Sequence, residues 1–135
     1  MKVLVCTDFS AGAAAGERET ARRWPDAEII LFHAIDSRLP HVVENLTKYD
    51  ADELKKDMSH YADMRMNEIV KRLTSEGRRA VAEIVEGDPV ESALAAAARM
   101  EAQLIVVGVA PGVPVGRFRI QLARQSSIPV LLVPV

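Results

Sequence analysis

The sequence predicts an α/β fold: a single domain built on an open, five-stranded parallel sheet with helices on both faces. Three observations carry this. Short β-branched apolar runs alternate with alanine-rich or amphipathic stretches, and four of those runs are short and largely apolar, as strands covered on both faces are. The alternation reads βαβαβαβαβ, which right-handed crossovers wind into one sheet. The chain has 135 residues, 49% of them hydrophobic, enough for one core and one domain spanning 1–135.

The apolar runs are Lys2 to Cys6, Glu28 to Ala34, Leu104 to Val107 and Val130 to Val133. A fifth, Ala80 to Val85, carries Glu83 and alternates, as a less covered strand near an edge does. The first helix is expected over 10–23, capped by Ser10 and stopped before Trp24-Pro25, where proline disfavours helical geometry in the residue before it. A long amphipathic helix over about 50–75 places Leu54, Met58, Tyr61, Ala62, Ile69 and Leu73 at helical spacing and ends before Gly77. In Gly87-Asp88-Pro89-Val90-Glu91, Asp88 caps the next helix, Pro89 fits its first position and Glu91 suits a capping box. The alanines from 93 to 98 suit close packing on a sheet. A last helix over about 116–126 ends before Ile128-Pro129. Asp36 to Tyr49 reads as one long irregular stretch, a lid or a partner surface. The expected core includes Val5, Cys6, Leu31, Ile105, Val106 and Leu131.

Composition excludes several functions. A net charge of −2 from 17 basic and 19 acidic residues is not that of a nucleic-acid-coating protein. No apolar run reaches the ~18 residues of a membrane span, and Asp8 follows the start too closely for a signal peptide, so a cytoplasmic location is expected. The one cysteine, Cys6, excludes an internal disulfide, and His33, His41 and His60 lack metal-ligand spacing. Charge is nevertheless uneven: beyond Glu101 the chain holds Arg117, Arg119 and Arg124 and no acid.

In an open α/β sheet, ligands sit beyond the carboxyl ends of the strands where the winding reverses. Thr7-Asp8-Phe9-Ser10, Ala34-Ile35-Asp36, Gly87-Asp88 and the segment from Gly108 to Arg117 meet that condition. The last has glycines at 108, 112 and 116 ahead of a helix, which lets backbone N–H groups approach an anion. Its spacing is neither the Walker pattern nor the dinucleotide fingerprint. Shaping a tight strand-to-helix connection explains the same glycines equally well.

Five blocks together carry a resemblance: Lys2 to Ser10, Leu31-Phe32-His33-Ala34-Ile35-Asp36, Glu86-Gly87-Asp88-Pro89, Ala102 to Gly108, and Ser126 to Val133. In this order they resemble the universal stress protein family across essentially the whole chain. The resemblance implies a Rossmann-like sheet of the adenine nucleotide alpha hydrolase type, ordered 3-2-1-4-5, and a homodimer through the C-terminal strand. In one branch of the family it implies an ATP site, made by an Asp after strand one, a residue after the strand-two His and a Gly-x2-Gly-x9-Gly-Ser/Thr loop. Mapped here, the cofactor-binding set is Thr7, Asp8, Ala34, Gly108, Gly112, Gly116 and Arg117. Only seven residues separate Gly108 from Gly116, and Arg117 replaces the loop hydroxyl. Mg-ATP is therefore expected to bind weakly or not at all.

Two readings of Arg117 stay open. With Arg119 it marks a retained anion site at a helix N-terminus, or it crosses the shortened loop to pair with Asp8 or Asp36. Three functions follow: a dimeric stress-response binding module with a degenerate nucleotide site and no strong catalytic turnover, a binder of ATP or another adenine nucleotide with slow ATPase activity, or a regulatory domain whose partner binds 36–49.

Overall fold

The computed structural model describes residues 1–36, 38–109 and 116–134. The chain forms β1 (Lys2–Cys6), α1 (Ala11–Arg23), β2 (Glu28–Ile35), α2 (Arg38–Leu46), α3 (Ala51–Ser75), β3 (Arg79–Glu86), α4 (Pro89–Arg99), β4 (Leu104–Val109), α5 (Arg117–Gln125) and β5 (Val130–Pro134). The strands lie in the order β3-β2-β1-β4-β5 and every neighbouring pair is parallel. No helix among the described residues is long and apolar enough to cross a membrane.

The two-residue period of a strand divides the core into two layers. Val3, Val5, Ile29, Leu31 and Val106 face α1 and α3, where Ala15, Met66, Ile69 and Leu73 meet them. Leu4, Cys6, Ile30, Phe32, Ile105 and Val107 face the other way, onto Ala93, Ala96 and Ala97 of α4 and Leu122 of α5. Small side chains bring α4 close to the sheet. On the other face the approach is tighter still: a Cβ built on Gly108 of β4 would lie 1.7 Å from the carbonyl oxygen of Gly12 in α1. Only glycine fits there.

Helix starts follow from local chemistry. Ser10 Oγ accepts from the Ala13 N–H at 3.2 Å, and Asp88 Oδ2 from the Glu91 N–H at 3.0 Å with Pro89 opening α4. Gly77, at φ +80°, follows the C-cap of α3, where an L side chain would be strained.

Two expectations are corrected. The segment 36–49 is not one irregular stretch, because α2 occupies Arg38–Leu46. Pro40 is its third residue, where no intrahelical N–H bond is needed, so it does not break the helix. Leu131 is half-buried and Val133 is the buried residue of β5, since an edge strand is covered less than a central one.

Candidate functional site

The site begins where β1 ends. Thr7 N donates to the Phe32 carbonyl at 2.8 Å, extending the β1–β2 ladder by one residue, and Thr7 Oγ1 accepts from the Phe9 N–H at 3.0 Å. The Thr7 carbonyl accepts from His33 Nδ1 at 2.8 Å, so that nitrogen carries the ring proton. Phe9 takes a left-handed conformation, φ +66°, which is strained for an aromatic residue. Its ring stacks on His33 with centroids 4.5 Å apart and meets the edge of Tyr61. This packing holds the turn.

The turn presents Asp8, whose Oδ1 accepts from the Ser10 N–H at 3.0 Å. Burial alone would raise its carboxyl, but the hydrogen bonds from Ser10 and the charge of Arg119 outweigh burial and hold it below the usual range. Asp8 stays an ionised acceptor.

Beside it a cavity of about 300 Å³ opens at the carboxyl ends of β1, β2 and β4. Phe32, Ala34, Val107, Pro89 and Phe118 give apolar walls, and Thr7, Asp8, His33 and Arg119 the polar ones. Cys6 lines it too; burial pushes its thiol up to about 12, so it remains protonated and inert. A cavity of this size is at the lower end for small-molecule sites, with the usual apolar slot and few convergent polar groups.

The cavity gathers Thr7, Asp8, Ala34 and Gly108. Gly112 lies outside the described residues. Gly116 is the N-cap of α5, offers no side-chain bond, and is not among the described lining. Arg117 is exposed, and among the described residues it is not part of the cavity lining and pairs with neither Asp8 nor Asp36. Asp36 pairs instead with Arg38 at 2.9 Å, and Arg38 also reaches Asp88 at 3.5 Å. The basic side chain in the cavity is Arg119, whose Nε donates to the Gly108 carbonyl at 3.0 Å. Phe32, Pro89 and Phe118 were not foreseen. Their signal was available: Pro89 and Phe118 sit in the first turn of helices that border the crevice, and Phe32 lies in β2 beside Cys6, the last residue of β1.

A family model described as the universal stress protein family matches residues 1–134. Among solved structures, the hypothetical protein MJ0577, whose biochemical function was assigned from its structure, is 28% identical, with 99% of this chain and 95% of that one covered and a TM-score of 0.81. A universal stress protein family member from Burkholderia pseudomallei is 23% identical over 99% of this chain and 96% of its own, TM-score 0.78. One from Arabidopsis thaliana, solved with AMP bound, is 19% identical over 99% and 91%, TM-score 0.72. The last two likenesses speak for the fold alone. A search of curated proteins found no match. With the family model spanning nearly the whole chain and the five parallel strands in the expected order, the chain belongs to the universal stress protein family.

Proposed function

We propose that the protein is a dimeric, non-catalytic binding module of this family whose cavity takes an adenine nucleoside or nucleotide. The observation that carries this reading is the cavity itself: an apolar slot between Phe32, Pro89 and Phe118, suited to a flat heterocycle, with ionised Asp8 as acceptor for ligand hydroxyl or amino groups. AMP in the Arabidopsis thaliana protein and cAMP in another universal stress protein are facts about those proteins; they make adenine the first base to test here. Asp8 is the one carboxylate among the described cavity residues, a thin set for holding magnesium.

Calorimetry with adenosine, AMP and ATP, with and without magnesium, tests the reading. Adenosine or AMP is expected to bind, and ATP to be left intact on incubation. Ala34→Leu, which fills the slot, is expected to cut affinity about tenfold or more through steric exclusion. Silence with every adenine compound overturns the proposal, and phosphate release from ATP favours the ATPase reading.

The dimer reading is supported by β5. It is a sheet edge of Val-Leu-Leu-Val-Pro, with Leu132 36% exposed, and the sole residue of it without a backbone donor is Pro134. The opposite edge, β3, is guarded by charge, with Glu83 bound to Arg99 and Glu86 to Lys55, both at 2.6 Å. Sedimentation is expected to give a dimer that Leu132→Lys converts to a monomer. A wild-type monomer at micromolar concentration refutes this.

A further inference from the structure

We propose that Arg119 makes the cavity selective for a ligand bearing a single phosphate, held without magnesium. The inference rests on the nucleotide reading and adds the residue that sets its charge preference.

Arg119 is the third residue of α5 and half-buried. Its Nε–H is committed to the Gly108 carbonyl at 3.0 Å, and its Nη1 lies near Gly116, 3.3 Å from where a Cβ there would sit. The Gly108 carbonyl thus holds the Nε side of the guanidinium at the end of β4, which lowers the ordering cost of binding, while its outer nitrogens can still adjust to a ligand. A guanidinium has five donors, of which the carbonyl uses one. Among the described residues no carboxylate pairs with it, and Asp8 acts on it only through space. The remaining donors suit the fork geometry of a phosphate, in a recess where charge is screened less than on the open surface.

The surrounding charge sets an upper limit on the ligand. The first turn of α5 has Arg117 and Arg119 and no acid, and its N-cap Gly116 supplies no side-chain bond, so one anion offsets both arginines and the open N–H groups. Asp8 remains ionised on the same cavity wall. Asp36 and Asp88, next to the lining segments, already share Arg38. One phosphate balances this field. A triphosphate adds further negative charge beside Asp8 with no second cavity cation among the described residues.

The test is the ratio of AMP to adenosine affinity at low salt in the wild type, Arg119→Met, Arg119→Lys and Arg117→Met, each checked for a cooperative melt. We expect wild-type AMP to bind about tenfold or more tighter than adenosine, as one charge-assisted contact implies. Magnesium should leave that ratio unchanged and ATP should bind no tighter than AMP. Arg119→Met should bring the ratio near one, Arg119→Lys should keep part of it, and Arg117→Met should keep most of it. Equal wild-type affinities, a ratio that survives Arg119→Met, or tighter magnesium-dependent ATP binding overturns the role of Arg119 while leaving adenosine binding intact. Absence of binding by adenosine and AMP alike overturns the nucleotide reading and this inference together.

Discussion

Two cavities open from one turn, Thr7 to Ser10, one at the carboxyl ends of the strands and one between α1 and α3, and they treat charge in opposite ways. The first, at the ends of β1 and β4, keeps Asp8 and Arg119 apart, each tied to backbone and neither neutralised by the other. The second, about 250 Å³ between α1 and α3, is lined by Phe9, Glu17, Arg65, Glu68 and Arg72. There Glu17, only 2% exposed, accepts from Arg72 at 2.8 Å, while Arg65 lies 3.7 Å from Glu68 and over the rings of Phe9 and Tyr61. In the second set the Arg72–Glu17 pair fixes α3 to α1, and Arg65 keeps a buried Nε with no hydrogen-bond partner among the described residues, its charge set over aromatic rings; the first leaves hydrogen-bonding capacity facing open space. A cluster of ionisable groups therefore signals a ligand only where the protein leaves those groups unmatched.

The sharpest way to break this picture is where the first cavity meets α1. Gly108→Ala should drive a methyl into the Gly12 backbone, 1.7 Å away, which no side-chain rotation relieves. The expected loss is about 3 kcal/mol or more, or failure to fold. Gly116→Ala meets only the flexible end of Arg119 at 3.3 Å and should cost less than about 1 kcal/mol. Chemical denaturation of the pair distinguishes a packing glycine from a loop glycine. Equal costs would refute the assignment.

Next in size is Arg72→Met. It strands the buried Glu17 carboxylate without its partner, an expected loss of about 2 kcal/mol at neutral pH that shrinks in acid as Glu17 takes up a proton. Asp8→Asn in the first cavity should cost less than about 1 kcal/mol, because Asp8 is exposed and its bond from the Ser10 N–H is one an amide oxygen can also accept. Urea midpoints at two pH values measure both. A larger loss for Asp8→Asn would invert the comparison.

The same two acids should respond to pH with opposite sign. Burial raises Glu17 above its ordinary 4.5, although the charge and hydrogen bond of Arg72 pull the other way. The folded state then holds the Glu17 proton more firmly than the unfolded one, so its contribution is present below 4.5 and is lost as pH rises through the raised value. Asp8 is lowered from 3.8, so its contribution is present above 3.8 and lost as pH falls through the lowered value. Glu17→Gln should gain stability relative to the wild type as pH rises from acid to neutral, and Asp8→Asn should lose it. Parallel curves would mean that the environments do not differ as described.

The fold was legible because burial of strands and alternation of runs are properties of composition along the chain, and composition is what a sequence displays. Ser10, Asp88 and Pro89 announced their helices for the same reason: capping is local. α2 was missed because Pro40 and the adjacent Val42-Val43 argue against a helix one residue at a time. Leu39, Val42, Val43 and Leu46 at helical spacing were the contrary signal. The site was legible only to the level of which strand ends meet. Counting along the chain placed a cation after Gly116 and chose Arg117, but which of two arginines points inward depends on the direction of α5. Gly108 was read toward a phosphate, whereas the close approach of Gly12, distant in sequence, gives that glycine a packing role of its own.

The smallest expected effect lies at the rim of the first cavity. Arg38 has a side chain 70% exposed and binds both Asp36 and Asp88, yet pairs in that much solvent add little to stability. Arg38→Ala should therefore leave the denaturation midpoint nearly unchanged, and Asp36, held low chiefly by the Arg38 hydrogen bond, should titrate closer to its ordinary value. Its consequence belongs to binding. Two carboxylates left without their shared cation repel an incoming phosphate, so AMP should bind about two- to threefold more weakly at low salt and indistinguishably from wild type at high salt, where screening shortens the reach of charge to ~3 Å. Adenosine, without a phosphate, should not feel the change. A stability loss from Arg38→Ala as large as that from Arg72→Met would show that rim charges also hold the fold together, and the division between charges matched for stability and charges left for a ligand would fail.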